Sequence, residues 1–344
     1  MIQLDTKIFP KAPGAFIVGG SIRDLLCGRA PVDYDVAVRG DPVKFARRIE
    51  SSTNGRLVEL GKPGQMIIRV VSEKHIIDVS SIKEASIEKN LQARDFTINA
   101  MAYDLSSNRL IDPVGAQRDL KNKTIRMVSK DIFKRDPVRL LRAYRIAAEF
   151  QFEIESQTNA AIQRHALLIQ QSAGERVRAE FFKMLQCPGF HPYLNQMADN
   201  ALLFAFLPEL AALKQCRQNQ HHQFNVFDHT LHAFFHLEDL LGSNQKLLIA
   251  DGQPAARQIA ETQIPLLKFS ILLHDVAKPA VMTGSRDERL HFYGHERQSA
   301  QMAETICRRL KCSKRDTDKI HFLVRHHHRP RFLFTALHEQ KAGP

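Results

Sequence analysis

Residues 15–38 constrain this chain more than any other stretch. An apolar run, Ala15-Phe16-Ile17-Val18, leads into Gly19-Gly20-Ser21-Ile22-Arg23, and a second run carries Asp33-Tyr34-Asp35 into Val36-Ala37-Val38. Side chains alternate across a strand, so Asp33 and Asp35 project to one face. Two neighbouring carboxylates repel each other, and a fold that keeps them together needs a counter-charge, most simply a divalent cation. Glycines ahead of a helix start let the backbone approach a phosphate. Metal carboxylates beside a phosphate cradle point to phosphoryl or nucleotidyl transfer.

The surrounding pattern places this stretch in a small α/β domain over residues 1–125. Strands are expected at Ala15–Val18, Tyr34–Val38, Met66–Val71 and His75–Val79, helices at Asp24–Leu26 and Pro42–Ser51, and a turn at Asp112-Pro113-Val114-Gly115. Beyond about residue 130 the pattern becomes helical. Helices are expected over Pro137–Phe150, Glu175–Gln186 and Leu202–Leu213, with Pro188-Gly189 between the last two. The polar stretch Gln215 to Gln223 reads as a linker, residues 242–264 as a loop insertion, and a second helical region runs from about Phe227.

The 344 residues are enough for two or more domains, and 44% hydrophobic with 25% charged content is ordinary for a soluble globular chain. The 49 Lys and Arg against 37 Asp and Glu leave a formal charge of +12, which favours a polyanionic partner such as nucleic acid. The five cysteines are scattered with no CxxC pair, so reduced thiols in a cytoplasmic setting are expected. The N-terminus lacks a signal-peptide pattern, and no run of about 20 apolar residues exists to span a membrane.

Three further motifs follow in order: Arg94-Asp95-Phe96-Thr97-Ile98-Asn99, Arg135-Asp136-Pro137-Val138-Arg139-Leu140-Leu141-Arg142, and Gly174-Glu175-Arg176-Val177-Arg178-Ala179-Glu180. Each alone is weak, but the series over residues 13–186 closely resembles the class II tRNA nucleotidyltransferase and bacterial poly(A) polymerase family. The resemblance implies an α+β, polymerase-β-like nucleotidyltransferase head followed by an all-α neck and body over residues 126–215. It implies template-independent addition of C and/or A to RNA 3′ ends, most simply tRNA CCA-end synthesis from CTP and ATP. In that reading Asp33 and Asp35 are catalytic and hold Mg²⁺, Gly19, Gly20, Ser21 and Arg23 bind the triphosphate, and Arg94, Asp95 and Asn99 contact phosphate and sugar. Asp136 and Arg139 read the base, with Arg142 beside them, and Arg145, Arg176 and Arg178 face RNA phosphates together with Arg164 and Lys183. Asp78 is a candidate third strand carboxylate. From the residues alone, Asp136 and Arg139 can equally be an i,i+3 ion pair on a helix, and Arg94, Asp95 and Asn99 a structural polar network. Arg135 and Ala93 depart from the family pattern, which normally has Glu before the Asp136 position and often Arg before the Arg94 position, and this leaves the choice among CCA addition, A addition and poly(A) tailing open.

A second constellation lies further on: Asp228-His229, His274-Asp275-Val276-Ala277-Lys278, Gly294-His295-Glu296 and His326-His327-His328. Burying adjacent imidazole and carboxylate groups costs several kcal/mol, of the order of 2–7 per unpaired group, unless they are paired. The series resembles HD-domain metal phosphohydrolases and implies an all-α HD domain over residues 221–344. By that resemblance His229, His274 and Asp275 hold a divalent transition metal or Mg²⁺, His295 and His327 are further ligands or phosphate contacts, and Lys278 binds phosphate. Neighbours on a helix diverge by about 100°, so at most one functional residue is expected among His326–His328. His221, His222, His232, His236 and His321 have no motif support. The late Asp usual in HD domains has no counterpart after His328, and relatives of this layout often continue further, which leaves open whether the chain is truncated or naturally short. An HD phosphohydrolase with an RNA-binding N-terminal half is the alternative enzyme, and a non-catalytic RNA-binding protein a third reading that the intact Asp33 and Asp35 disfavour.

Overall fold

The structure is a computed structural model that describes residues 8–31, 33–61, 66–217, 224–242, 249–250, 253–254, 260–284 and 290–329. It divides into two compact units, Met1–Arg135 with Gln151–Asn159, and Asp136–Phe150 with Ala160–Pro344.

The first unit is built on a seven-stranded mixed sheet. Its elements run β1 (Ala15–Val18), α1 (Gly20–Leu26), β2 (Asp33–Val38), α2 (Pro42–Thr53), β3 (Arg56–Leu60), β4 (Ile67–Val71), β5 (Ile76–Ser81), α3 (Ile87–Gln92), β6 (Ala102–Asp104), β7 (Leu110–Ile111), α4 (Ala116–Lys121), β8 (Thr124–Ile125) and α5 (Ile132–Arg135). The strand order is β3-β4-β5-β2-β1-β6-β7, and within this sheet only β2 and β5 pair in parallel. Tyr34, Val36 and Val38 turn one face of β2 into a core shared with Ile17, Ile68, Ile77 and with Phe45, Ala46 and Ile49 of α2. The alternate residues Asp33 and Asp35 are therefore left on the opposite, exposed face. α2 is fixed at its start by Asp41, whose carboxylate accepts from Val43 N at 2.8 Å and Lys44 N at 3.3 Å, with Pro42 in the first turn. It ends at Asn54 in the left-handed region (φ 50°).

β3 and β6 were not expected. β3 is an edge strand whose residues are all exposed or half-buried, so it lacks the apolar alternation that marks a strand. α1 starts at Gly20, four residues before the expected helix. The short strand β9 (Glu153–Ile154) returns to pair with β8 in this same unit.

The second unit is helical: α6 (Arg139–Phe150), the C-terminal part of α7 (Ser156–His165), α8 (Gly174–Gln186), α9 (His191–Asp199), α10 (Leu202–Phe206), α11 (Val226–Gly242), α12 (Ile264–Leu273), α13 (Lys278–Val281), α14 (His295–Arg309) and α15 (Lys314–Arg325). The single helix expected over Leu202–Leu213 is interrupted. Pro208 cannot donate to a helical bond and disfavours helix at Leu207, so α10 ends at Phe206 and a 3₁₀ segment, Pro208–Lys214, follows. Within residues 242–264, Ile249–Ala250 pairs with Gln253–Pro254, while 243–248, 251–252 and 255–259 lie outside the described residues, as do His221 and His222. α12 is apolar on nearly all sides and buries seven of its ten residues. The one cation among them, Lys268, is satisfied by Glu238 at 2.5 Å and the Cys187 carbonyl at 2.9 Å. Among the described residues no helix is long and apolar enough to cross a membrane.

Gly174 opens α8 directly against the end of α14, where an added methyl would collide with the Arg309 backbone carbonyl. Gly174→Ala is expected to destabilise the protein by about 1–3 kcal/mol, the range for overpacking against backbone. Equilibrium denaturation checks this, and an unchanged midpoint contradicts the contact.

Candidate active sites

The strand register builds the first site. Asp35 of β2 pairs with Asp78 of β5, Asp78 pairs with Arg69 of β4, and Asp33 pairs with Ile76. Directly paired residues share a face, so Asp35, Asp78 and Arg69 form one row across the sheet beside Asp33. Arg69 grips Asp78 bidentately, Nε to Oδ1 and Nη2 to Oδ2, both at 2.8 Å. That bond raises the Arg69 pKa, and the charges of Asp33 and Asp35 add to the effect. Asp78, the candidate third carboxylate, thus carries its own cation. The Arg69 contribution was not anticipated, although the Ser72–His75 turn between β4 and β5 sets the register that brings it there.

β1 ends at Gly19, whose φ of 80° favours glycine. A Cβ there would lie 2.6 Å from Arg94 Nη1 and 3.3 Å from Asp35 Oδ2. The glycine therefore opens the space in which the Arg94 guanidinium sits beside Asp35. Gly20 begins α1, packed against the Arg23 guanidinium.

The other expected nucleotide contacts form a buried network. Arg23, 6% exposed, donates through Nη1 to Asn99 Oδ1 at 2.7 Å and through Nε and Nη2 to Asp24 Oδ1 at 2.9 and 2.7 Å. Asn99 Nδ2 donates to Asp95 Oδ1 at 3.1 Å, and the same oxygen accepts from Phe96 N at 2.7 Å. Ser21 donates to the Val18 carbonyl at 3.2 Å. Arg23, Asp95, Asn99 and Ser21 are brought together, and their mutual bonds stiffen the turn that carries Gly19 and Arg94. The donor set on the exposed face, carboxylate oxygens alone, fits a hard divalent cation.

In the helical unit, Asp136 precedes α6 and Arg139 is its first residue, because Pro137 disfavours helical backbone at Asp136. The expected shared helical face is therefore corrected: the Asp136 carboxylate instead pairs bidentately with Arg176 of α8, at 3.0 and 2.8 Å. Arg139 Nη1 is buried with no hydrogen-bond partner among the described residues. Arg142 lies on the next turn of α6, and its Nε is also buried. Arg145 is held by Glu180 at 2.6 Å and Glu149 at 2.8 Å, and Arg178 donates to the Lys311 carbonyl. Arg145, Arg176 and Arg178 thus each carry an internal partner.

The second constellation converges on Asp275, 1% exposed at the end of α12. Its Oδ2 lies 3.1 Å from His274 Nε2, 3.7 Å from His229 Nε2 and 2.7 Å from Lys278 Nζ. Its Oδ1 lies 3.3 Å from His295 Nε2 and 3.7 Å from His327 Nε2. His274, His295 and His327 each direct Nδ1 at the carbonyl three residues back, Ile271, Phe292 and Val324, at 2.7, 2.8 and 2.7 Å. A carbonyl only accepts, so each Nδ1 carries the proton and each Nε2 in the neutral ring presents its lone pair to the cluster. Burial lowers the His327 pKa to about 4, while the nearby Asp275 carboxylate outweighs burial and raises that of His295. Adjacent ligands around a cation bound at ~2.1 Å are about 3.0–3.4 Å apart, so imidazole nitrogens and a carboxylate at these spacings fit a metal. His229, His274 and Asp275 form one ligand group and His295, His327 and His328 another. The helical premise behind the reading of His326–His328 is corrected: α15 ends at Arg325, these residues lie in a turn, and both His327 and His328 face the cluster.

Family models match three successive stretches, described as the poly A polymerase head domain over residues 15–126, a probable RNA- and SrmB-binding site of polymerase A over 151–214, and the HD domain over 226–336. An A-adding tRNA nucleotidyltransferase from Deinococcus radiodurans is 33% identical over 325 residues, covering 92% of this chain and 69% of the relative. A CC-adding tRNA nucleotidyltransferase from Thermus thermophilus is 30% identical over 319 residues, covering 91% and 68%. A CC-adding enzyme from Geobacter sulfurreducens is 38% identical over 186 residues, covering 54% of this chain and 43% of the relative. A solved tRNA nucleotidyltransferase complexed with a primer tRNA and an ATP analogue superposes with a TM-score of 0.68 at 21% identity, over 96% of this chain and 84% of the other. The fold is that of a polymerase-β-like nucleotidyltransferase head followed by a helical body and an HD domain. The chain belongs to the tRNA nucleotidyltransferase and poly(A) polymerase family.

Asn99 joins Arg23 to Asp95, so Asn99→Ala leaves two buried ionic groups short of a partner. We expect a loss of about 2–4 kcal/mol of stability. Urea denaturation checks it, and a loss below about 0.5 kcal/mol, the level of an ordinary surface change, rejects the network as a structural element.

Proposed function

We propose that this protein adds C and/or A to tRNA 3′ ends, using CTP and/or ATP. The observation that carries the reading is Asp33 and Asp35 on the exposed face of β2, beside the Gly19 turn and Arg94, in a chain of this family. Asp33 and Asp35 hold Mg²⁺, which when bound supplies activation of the RNA 3′-hydroxyl and neutralises charge on the α-phosphate and departing pyrophosphate. Gly19 and Gly20 let the triphosphate approach the backbone, and Arg94 offers a guanidinium fork to phosphate. Arg23, Asp95 and Asn99 position that turn, which is their part in nucleotide binding. Asp136 accepts from a base amino group and Arg139 donates to a ring nitrogen or carbonyl, a pattern that suits C or A and leaves G or U with unmatched groups. Arg176, bonded to Asp136, orients that carboxylate. Arg142, Arg145 and Arg178 line the helical unit that we assign to RNA. We assign residues 1–125 to the head, 126–215 to the neck and body, and 221–344 to the HD domain.

We assign the His–Asp cluster a second role in phosphomonoester or phosphodiester hydrolysis, supported by the convergence of four imidazoles on Asp275. Nitrogen-rich ligands favour a transition metal over Mg²⁺ there. Lys278 supplies the positive charge that holds a phosphate. The five free thiols suit a reducing compartment, and the cytoplasm is our proposed location.

The deciding experiment offers tRNA ending before C, after C and after CC with labelled CTP or ATP alone. Addition of C then A establishes CCA synthesis, C alone a CC-adding enzyme, A only after CC an A-adding enzyme, and long A tracts on unrelated RNA a poly(A) polymerase. No extension of any primer rejects the proposal. Asp33→Ala is expected to reduce incorporation at least ~10³-fold, the scale for removing a group that stabilises the transition state. For the second site, Mn²⁺ or Ni²⁺ is expected to raise the melting temperature of the native chain, since a ligand that binds only the folded state stabilises it. The His274→Ala chain should show less of this shift, and an equal shift in both rejects the metal assignment.

A further inference from the structure

We infer that Cys307 and Cys312 form a dithiol site that peroxide converts to an intrachain disulfide. Spacing alone hides the pair, because four residues lie between the two in sequence and no CxxC motif announces them. The helix end brings them together. α14 closes with Lys311 in the left-handed region (φ 56°), Lys311 N bonding the Arg308 carbonyl at 3.1 Å and Cys312 N bonding the Cys307 carbonyl at 2.9 Å. This pair of bonds is the Schellman closure, in which the chain folds back so that the side chains of the third residue from the helix end and the second residue beyond it pack on one another. Here those two positions are Cys307 and Cys312. Ser313 then caps α15, accepting from Asp316 N at 3.1 Å, so the turn is held on both sides.

The two thiols are unlike. Cys307 is fully buried and Cys312 half-exposed. The neighbouring Cys312 thiol and burial push the Cys307 pKa up, while the neighbouring Cys307 thiol draws that of Cys312 down. Arg178, whose guanidinium donates to the Lys311 carbonyl in the same turn, adds a positive charge that favours the Cys312 thiolate. A half-exposed thiol whose pKa is drawn down, beside a buried thiol whose pKa is pushed up, is the arrangement for attack followed by resolution. Cys312 thiolate attacks hydrogen peroxide, the O–O bond breaks, and sulfenate forms as the departing oxygen keeps its own hydrogen, takes the other hydrogen of the peroxide and leaves as water. Cys307 sulfur then attacks the Cys312 sulfur, the S–O bond breaks, and the Cys307 proton with one from solvent leaves with the oxygen as a second water. Two thiols lose two electrons and one peroxide gains them.

Cys27, exposed and near neither thiol in sequence, and Cys216, buried, serve as internal controls. The full chain is treated with limiting hydrogen peroxide, blocked with iodoacetamide and digested with trypsin without reduction. We expect peptide 298–308 joined to peptide 312–314, two hydrogens lighter than the sum of the reduced forms, released by dithiothreitol, and formed at least ten times faster than any Cys216 product. Cys312→Ser should abolish the joined peptide and leave Cys307 available to iodoacetamide after denaturation. Should that variant fail to fold, the native chain with diamide as oxidant gives the same joined peptide or refutes it. Recovery of Cys307 and Cys312 as separately alkylated peptides, with Cys27 oxidised first or linked between chains, overturns the proposal.

Discussion

The catalytic head depends on a repulsion that the sheet refuses to relieve. Asp33 and Asp35 sit on the same face of β2 because Tyr34, Val36 and Val38 are committed to the core, and a slip of one residue would bury the acids and expose the apolar set. The core therefore fixes the two carboxylates side by side. The head then surrounds them with fixed positive charge, Arg69 through Asp78 and Arg94 across Gly19. A guanidinium stays protonated at any working pH, so this positive charge is permanent.

The two sites offer different donor sets. The head offers carboxylate oxygens on an exposed strand, the donor type that suits Mg²⁺. The cluster around Asp275 offers imidazole nitrogens, each turned inward by a bond from its other nitrogen to the local backbone. Those bonds are made to carbonyls three residues back at helix ends or turns, where carbonyls lack helical partners. Backbone groups left over by the folding of α12 and α15 thus become the supports of the site.

Much of this was legible in the sequence and some was not, for separable reasons. Alternation placed Asp33 and Asp35 correctly because one face of β2 is buried. It missed β3 because this edge strand has no fully buried residue, with Leu57 only partly packed on the core, and so carries a weak signal. It placed Asp136 and Arg139 on one helical face, but Pro137 keeps Asp136 ahead of α6, and its carboxylate turns to Arg176, 40 residues away in sequence. Arg69 escaped notice because its importance lies in the pairing of β4 with β5, and sequence patterns report periodicity within a strand better than register between strands. His327 and His328 were assessed as helical neighbours, whereas the helix had already ended.

The cysteines extend the same point. Motif spacings such as CxxC encode one way for a chain to bring two residues together, and a helix terminus is another. The closure at Lys311 needs a residue that tolerates positive φ and a following chain that folds back, and neither requirement leaves a mark on the cysteines themselves. Cys307 and Cys312 take up facing positions because the α14 carbonyls must be satisfied. Arg178 reaches the same turn for the same reason, completing the Lys311 carbonyl from α8. The chemistry available at that corner of the helical unit is thus a consequence of how a helix ends, in the way that the chemistry of the head is a consequence of which face of a strand is buried.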